Sequence, residues 1–218
     1  MNQVQYGKPT FANALKIFPH TPEGKEYLKI VRVRNGVASI TNSHALIRRS
    51  VTVNNVPAVP DGCYDVRVGG DLIPTSNPEW MKYPDIDLVR PDGINPASGK
   101  PQIEPFCSIT NEVLGFMIPL IQEIRMKFHG TVLLNDKGLW MRQNPQVGMT
   151  YPFGLPSPVE VNPLYLEFVL VEMLQYPMVY LLREIRHDND GAVNTPLIFG
   201  LGWDNCGLIM PIRHTDDE

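Results

Sequence analysis

Cysteine is scarce and long apolar runs are missing from this sequence of 218 residues. The three cysteines, Cys63, Cys107 and Cys206, are an odd number at wide spacings, which fits neither a disulfide framework nor a zinc site. No run approaches the roughly 18 apolar residues that a membrane helix needs, and the opening stretch MNQVQYGKPT has no apolar signal core. We therefore expect a cytoplasmic protein with reduced thiols and no membrane partner.

Motifs that carry catalysis are also absent. The five histidines are scattered, and there is no glycine-rich phosphate loop, nucleophile elbow or pair of histidines at metal-binding spacing. The acidic stretch that follows His187 lacks the spacing of a calcium loop and is typical of a hairpin turn. The sequence predicts a protein that is not an enzyme and that uses no cofactor and no metal ion. A catalytic triad assembled only in space is the alternative that sequence leaves open.

Charge is modest as well. Charged residues make up 19% of the chain and the formal net charge is −4, so bulk charge gives no sign of nucleic-acid binding. Basic residues are clustered locally, and these are candidate nucleic-acid contacts: Arg32, Arg34, Arg48, Arg49, Arg125 and Lys127. Arg32 and Arg34 share one face of a predicted strand, and Lys29 lies on the other. A solvated sheet face is the commoner explanation of such a cluster.

Proline, by contrast, is abundant at 21 residues, so long uninterrupted helices are not expected. Turn-forming residues are densest at 91–101, PDGINPASGKP, which is typical of a linker. This pattern predicts a first domain over residues 1–92, a linker over 93–104 and a second domain over 105–218.

Local patterns place helices and antiparallel strands in both domains. In the first domain they predict a helix over 11–18, a hairpin turn at Asn35-Gly36, a short helical turn over 78–81, and strands over 27–34, 37–40, 45–53 and 63–68. In the second they predict a helix over 110–127, with a kink or late start at Pro119, and a hairpin around 135–138. A second helix is capped by Asn162 and ends near Leu174, and strands follow over 178–185, 196–200 and 207–212. Because helices come first and strands follow in each half, the fold class is α+β.

Five stretches, in the same order along the chain, resemble the bacterial DNA polymerase III beta sliding clamp family. Residues 41–46 (TNSHAL) resemble that family's "TDGHRL" loop, and residues 83–91 (YPDIDLVRP) resemble "FPDYxxVxP". Residues 128–139 resemble the end of the last domain's first helix and the hairpin after it. Residues 162–166 (NPLYL) match "NxxYL", and residues 208–213 (LIMPIR) resemble the terminal "MPMRL" signature.

The resemblance covers most of the chain and implies two DNA-clamp-like domains, each with helices on one face of antiparallel sheets. The family's first domain has no counterpart here. The stretch between His44 and Tyr83 is also shorter than the family's. We therefore expect a reduced N-terminal clamp domain followed by a complete one.

The resemblance further implies an apolar groove that takes a short linear peptide from polymerases and other DNA enzymes. The matching positions are Thr41, His44, Leu46, Pro84, Leu88, Val89, Tyr165, Met210, Pro211, Ile212 and Arg213. Leu88 stands where the family carries an arginine, which makes that wall more apolar. The alternative is that residues 210–212 form only a strand at the core edge and that His44 is a turn residue.

Clamp helices that surround double-stranded DNA carry lysine and arginine on their outward faces. The two helices predicted in the second domain are instead apolar on all sides, and Glu167 and Glu172 are the charged residues of the second one. We therefore predict that their outward faces pack against another subunit or protein, through Leu114, Ile118, Ile121, Leu164, Phe168 and Val171.

Two hypotheses follow for function. The first is a phage or bacterial clamp-like scaffold in DNA replication, a processivity factor or a relative of one. Its partners would be itself, as a homodimer or a homotrimeric ring, a DNA polymerase or another protein with a clamp-binding motif, and double-stranded DNA. The second is a clamp-fold interaction or structural protein that does not encircle DNA and oligomerises through apolar helix faces.

Overall fold

The computed structural model of the chain describes residues 11–53, 56–75, 82–84, 86, 103–155, 157–184 and 196–212. The chain divides into two compact units, Met1–Ser43 with Arg48–Pro84, and His44–Ile47 with Asp85–Glu218. The segment His44–Ile47 thus belongs to the second unit, although the first unit's residues precede and follow it in sequence. Residues 93–102 of the predicted linker lie outside the described residues, and residues 103 and 104 already form a strand.

The first unit is a small antiparallel sheet preceded by short helical turns. Its elements are α1 (Ala14–Ile17), 3₁₀ turns at Phe18–His20 and Glu26–Leu28, β1 (Val31–Arg34), β2 (Val37–Thr41), β3 (Ala45–Ser50), β4 (Thr52–Val53), β5 (Val56–Pro57), β6 (Gly62–Val66) and β7 (Leu72–Pro74). The strand order is β7-β6-β1-β2, followed by the second half of β3. Asn35 and Gly36 both have positive φ, 53° and 71°, which confirms the predicted two-residue hairpin turn between β1 and β2.

The first predicted strand is wrong over its first half. Tyr27 and Leu28 lie in a 3₁₀ turn, and β1 begins only at Val31. The Lys29 ammonium lies 2.6 Å from the Glu26 carboxylate, an i,i+3 pair that the turn allows and an extended strand does not. The helical turn predicted over 78–81 lies outside the described residues.

The second unit repeats one β-α-β-β-β pattern twice. The first copy is β8 (Ile103–Thr110), α2 (Asn111–Glu123) with a π-helical turn at Ile124–Phe128, β9 (Val132–Leu134), β10 (Gly138–Met141) and β11 (Asn144–Thr150). The second copy is β12 (Val159–Val161), α3 (Pro163–Met173), β13 (Met178–Glu184), β14 (Leu197–Gly202) and β15 (Asn205–Ile209). The predicted α+β class is confirmed.

The two copies exchange their first strands. One sheet has the order β11-β10-β9-β12, and the other includes β15-β14-β13-β8. Thus β12 pairs with β9 of the first copy, and β8 pairs with β13 of the second. Each sheet of the second unit therefore contains strands from both copies.

Side-chain caps start both long helices where the sequence predicts. The Thr110 hydroxyl accepts a hydrogen bond from the backbone N–H of Val113 at 3.4 Å, and the Asn162 side chain accepts one from Leu164 at 2.9 Å. Helix α2 begins at Asn111 and continues through Pro119, so it has no late start at that proline. Among the described residues, no helix combines the length and apolar content needed to cross a bilayer.

Candidate peptide groove and charged clusters

Three residues from distant parts of the sequence meet in the second unit. The imidazole ring of His44 stacks on the phenol ring of Tyr165, with ring centroids 5.4 Å apart and planes inclined by 5°. The backbone N–H of Met210 donates a hydrogen bond of 2.9 Å to the carbonyl of His44. The Asn162 cap fixes the first turn of α3, which carries Tyr165, so this ring pair rests on a defined helix start.

The segment after β15 is held by its backbone at both ends. Besides the bond from Met210, the N–H of Ile212 donates to the carbonyl of Glu160 in β12 at 2.8 Å. Pro211 is buried between them, whereas Met210 and Ile212 are half-buried. We call the surface formed by His44, Tyr165 and residues 210–212 the ring-pair groove.

The other positions predicted for the groove have different surroundings. Leu46 is 4% exposed, and Thr41, in the first unit, is 6% exposed. Pro84, also in the first unit, is exposed, and its carbonyl accepts a hydrogen bond from Arg32. Leu88, Val89 and Arg213 lie outside the described residues. The structure thus brings five of the predicted positions together in one unit and leaves their binding role a prediction.

The outward helix face predicted from the sequence is wrong for four of its six residues. These four side chains are 0–7% exposed and form part of the second unit's own core: Leu114, Ile118, Ile121 and Phe168. The two helices pack against each other, and α3 also packs on β14 and β15, so most of the apolar circumference of α3 is covered within the chain. Leu164 and Val171 are half-buried.

The exposed apolar residues of this region are different ones. Phe116 is 65% exposed, Met126 66% and Phe128 43%. The sequence does not single out these residues by composition, because α2 is apolar on several sides. The signal that separates the faces is the complete stripe of Leu114, Met117, Ile118, Ile121 and Ile124, which runs at helical spacing and excludes position 116.

Of the four arginines predicted as nucleic-acid contacts in the first unit, one is buried and two contact other residues of the chain. Arg48 is 6% exposed, which contradicts its prediction as a phosphate contact. The guanidinium of Arg49 lies 5.8 Å from the ring centre of Phe11. Arg32 lies 5.9 Å from the ring centre of Tyr83 and donates hydrogen bonds to the carbonyls of Tyr83 and Pro84, at 3.5 and 3.3 Å. Arg34 is exposed.

The basic residues at the end of the first long helix are paired with acidic ones. Arg125 Nε and Nη2 lie 3.0 and 2.9 Å from Glu167 Oε2, and Gln122 donates to Glu167 Oε1 at 2.9 Å. Lys127 pairs with Glu123 at 2.8 Å across one helical turn. The cations here are balanced by helix carboxylates, which weakens any attraction for phosphate.

Burial is the largest cause of the pKa shifts of two ionisable groups in the first unit. Burial raises the pKa of the Tyr83 hydroxyl far above its ordinary value, and that hydroxyl donates to the carbonyl of Ser39 at 3.1 Å. Burial also raises the pKa of the Cys63 thiol, and the nearby Arg32 partly opposes this. In the part of the chain that the structure describes, no group of three or more His, Cys, Asp or Glu side chains could hold a metal ion.

Solved structures of bacterial sliding clamps have a similar fold. The chain matches the beta subunit of DNA polymerase III from Pseudomonas aeruginosa with a TM-score of 0.50 and 14% identity, over 98% of this chain and 69% of that one. For the beta subunit from Thermotoga maritima the TM-score is 0.50 and the identity 10%, over 99% and 68%. Neither a protein-family model nor a curated protein sequence matches the chain.

The structure therefore has a clamp-like α+β fold, and the fold resemblance inferred from the sequence motifs is confirmed. More particularly, it is similar to the beta subunit of bacterial DNA polymerase III. The chain spans less than two thirds of the beta subunit from Borrelia burgdorferi, 65% of its length, with a TM-score of 0.48 and 12% identity.

Proposed function

We propose that the chain is a clamp-like scaffold of DNA replication that binds partner proteins and does not act as an enzyme. The observation that carries this proposal is the ring-pair groove, in which His44, Tyr165 and residues 210–212 meet. A fold similar to bacterial beta subunits supports it. The ligand is a short apolar peptide segment of a DNA polymerase or another replication enzyme.

The chemistry of the groove suits such a ligand. A flexible peptide gains most of its affinity from one or two side chains that enter a pre-formed apolar surface with polar groups around it. Met210 and Ile212 are half-buried, and their backbone amides are bonded to His44 and Glu160. A surface that is ordered before binding loses little conformational freedom when the ligand arrives.

The groove is tested by binding of a fluorescein-labelled clamp-binding peptide, measured as fluorescence anisotropy. Ile212→Asp places a charge in the apolar contact and should weaken binding at least about tenfold, which corresponds to about 1.4 kcal/mol. Pro211→Ala should weaken it less. Leu201→Asp is the matched control, because Leu201 is an apolar residue 49% exposed near the end of β14. If Ile212→Asp and Leu201→Asp bind the peptide with equal affinity, and circular dichroism verifies that both are folded, the groove is not the peptide-binding site.

Ring formation is a separate part of this proposal and needs its own test. A ring formed by copies of the chain would stay on nicked circular double-stranded DNA and leave after linearisation. The measurement is co-elution of protein and plasmid in gel filtration at moderate salt, before and after a single cut. Absence of the protein from the DNA fractions in both cases would show that the chain does not encircle DNA under these conditions.

A second candidate function is a clamp-fold oligomer that does not encircle DNA. It is favoured by the exposed side chains of Phe116, Met126 and Phe128, together with the pairing of Arg125 to Glu167. Contact through this apolar surface predicts a dimer or larger species in light scattering, and Phe116→Ser with Phe128→Ser should convert it to monomer. A clean monomer of the unmodified chain at micromolar concentration would eliminate this candidate.

A further inference from the structure

A second surface of the second unit has the chemistry of a base-stacking platform. In the sheet β11-β10-β9-β12, Trp140 pairs with Leu133 on one side and Gly148 on the other, and Leu133 pairs with Glu160. Burial alternates along β9 and β10, so Leu133 and Trp140 lie on the face opposite to the buried Leu134 and Leu139. One row of side chains therefore crosses this outer face.

The indole ring of Trp140 is fixed in place by its neighbours. A Cβ atom at Gly148 would collide with Cε3 of that ring, so the glycine lets the ring lie on β11. The indole N–H donates to Asn135 Oδ1 at 3.4 Å. The same oxygen accepts the backbone N–H groups of Lys137 and Gly138, at 2.9 and 3.0 Å, which closes the hairpin turn. One side of the ring therefore packs on β11, and the Trp140 side chain as a whole is half-buried.

A cavity of about 290 Å³ adjoins the ring, lined by Leu133, Asn135, Lys137, Trp140, Met141, Arg142 and Pro145. Lys137 and Arg142 are exposed, so two cations flank an aromatic surface. Arg142 Nε lies 3.5 Å from Glu160 Oε2, and its side chain is still 59% exposed. Asp136 is exposed in the same turn, so the net local charge is small and attraction for phosphate is limited.

We propose that this platform binds a nucleotide of single-stranded nucleic acid, with the base on Trp140 and the phosphate groups near Lys137 and Arg142. Every base has a flat π-face that can stack on an aromatic side chain, and nearby cations favour the backbone. A peptide of apolar residues would satisfy the ring but not the two cations. A duplex hides its base faces and therefore offers only phosphate. Binding is expected to be weak, tolerant of base sequence and reduced by salt.

The probe is fluorescein-labelled oligothymidylate, titrated at low salt into the full chain and followed by anisotropy, with tryptophan emission as a second signal. Trp140→Ala should weaken binding about 5- to 150-fold, the range of one lost base–aromatic stack. Trp140→Phe keeps an aromatic ring and should retain most of the affinity, which separates stacking from misfolding. Lys137→Ala should lower affinity and reduce the salt dependence. Lys16→Ala, which removes an exposed cation on α1 of the first unit, should change neither.

Four results would overturn the proposal. They are an absence of oligothymidylate binding by the unmodified chain, undiminished affinity in Trp140→Ala, equal affinity for a duplex of the same length, and full competition by the clamp-binding peptide. The last result would assign the oligothymidylate signal to the ring-pair groove. A groove that fails its own peptide test leaves this experiment unaffected, because the platform variants and the groove variants share no residue.

Discussion

The core of the second unit provides the sharpest test of which helix face is buried. Leu114 is 0% exposed, whereas Phe116, two residues later on α2, is 65% exposed. Leu114→Ala removes three carbon atoms from the interior, worth about 2.4 kcal/mol at about 0.8 kcal/mol per buried carbon. The cavity left behind brings the expected loss in the free energy of unfolding to about 3 kcal/mol. Phe116→Ala should cost less than about 0.5 kcal/mol.

The assay is urea unfolding of both variants, followed by tryptophan emission. Trp140 and Trp203 both lie in the second unit, so the signal includes the unit that carries the substitution. In a thermal melt the loss of about 3 kcal/mol corresponds to a fall in Tm of about 6–12 °C for a unit of this size. The experiment is run at several protein concentrations, since oligomerisation would make Tm concentration-dependent.

Equal destabilisation by the two substitutions would refute the assignment of faces. A large effect of Phe116→Ala that grows with protein concentration would instead show that this side chain is buried in an oligomer. A small effect of Leu114→Ala would mean that the stripe of Leu114, Met117 and Ile121 does not face the core.

Three further predictions concern single contacts. Gly207→Ala should lower the free energy of unfolding by about 1–3 kcal/mol, because the added Cβ would collide with Val169 Cγ1. An unchanged Tm in a thermal melt would contradict that packing. Asn162→Ala should cost about 1 kcal/mol by losing the cap on Leu164, while Asn162→Asp keeps the acceptor and should be nearly neutral in the same melt. Burial raises the pKa of Cys107 to about 11. At pH 8, iodoacetamide should therefore modify this thiol about 100-fold more slowly than an exposed cysteine, as followed by mass spectrometry. A comparable rate would show that the Cys107 thiolate is accessible.

Features with a local cause could be predicted from sequence. The cap at Asn162 and the turn at Asn35-Gly36 depend on side chains or backbone angles within a few residues, and both are confirmed. The helix faces depend on which elements cover them. Because α3 is apolar on most sides, its sequence does not indicate which side faces the sheet, and the prediction for Phe168 was wrong.

Strand β8 was missed because its sequence, IEPFCSIT, does not alternate and contains a proline. The strand tolerates Pro105 since it pairs on one side only among the described strands, and the pairing shifts register next to that residue. The outer carbonyl of Ser108 accepts a hydrogen bond of 2.6 Å from the Tyr151 hydroxyl. Tyr151 lies 43 residues further along the chain, beyond α2 and strands β9, β10 and β11, so no local pattern could reveal this contact.

The ring-pair groove could be predicted only through the family resemblance. His44, Tyr165 and Met210 are far apart in sequence, and no spacing rule connects them. They were connected by the order of the motifs that resemble the clamp family, and the structure brings those residues together in one unit. The Trp140 platform was missed because the signal needed was the pairing of Trp140 with Gly148, which requires the strand register.

Strand β12 joins the two proposed surfaces through one residue. The carbonyl of Glu160 accepts the N–H of Ile212 at the groove, while its carboxylate lies 3.5 Å from Arg142 at the platform. Glu160→Gln leaves the backbone bond in place, keeps a side-chain oxygen that can accept the hydrogen bond from the Thr131 hydroxyl, and removes the negative charge beside Arg142. Oligothymidylate affinity should therefore rise while peptide affinity stays constant, both measured by anisotropy. A parallel loss of both affinities would mean that the Glu160 carboxylate maintains β12 itself, and that the two surfaces cannot be varied independently.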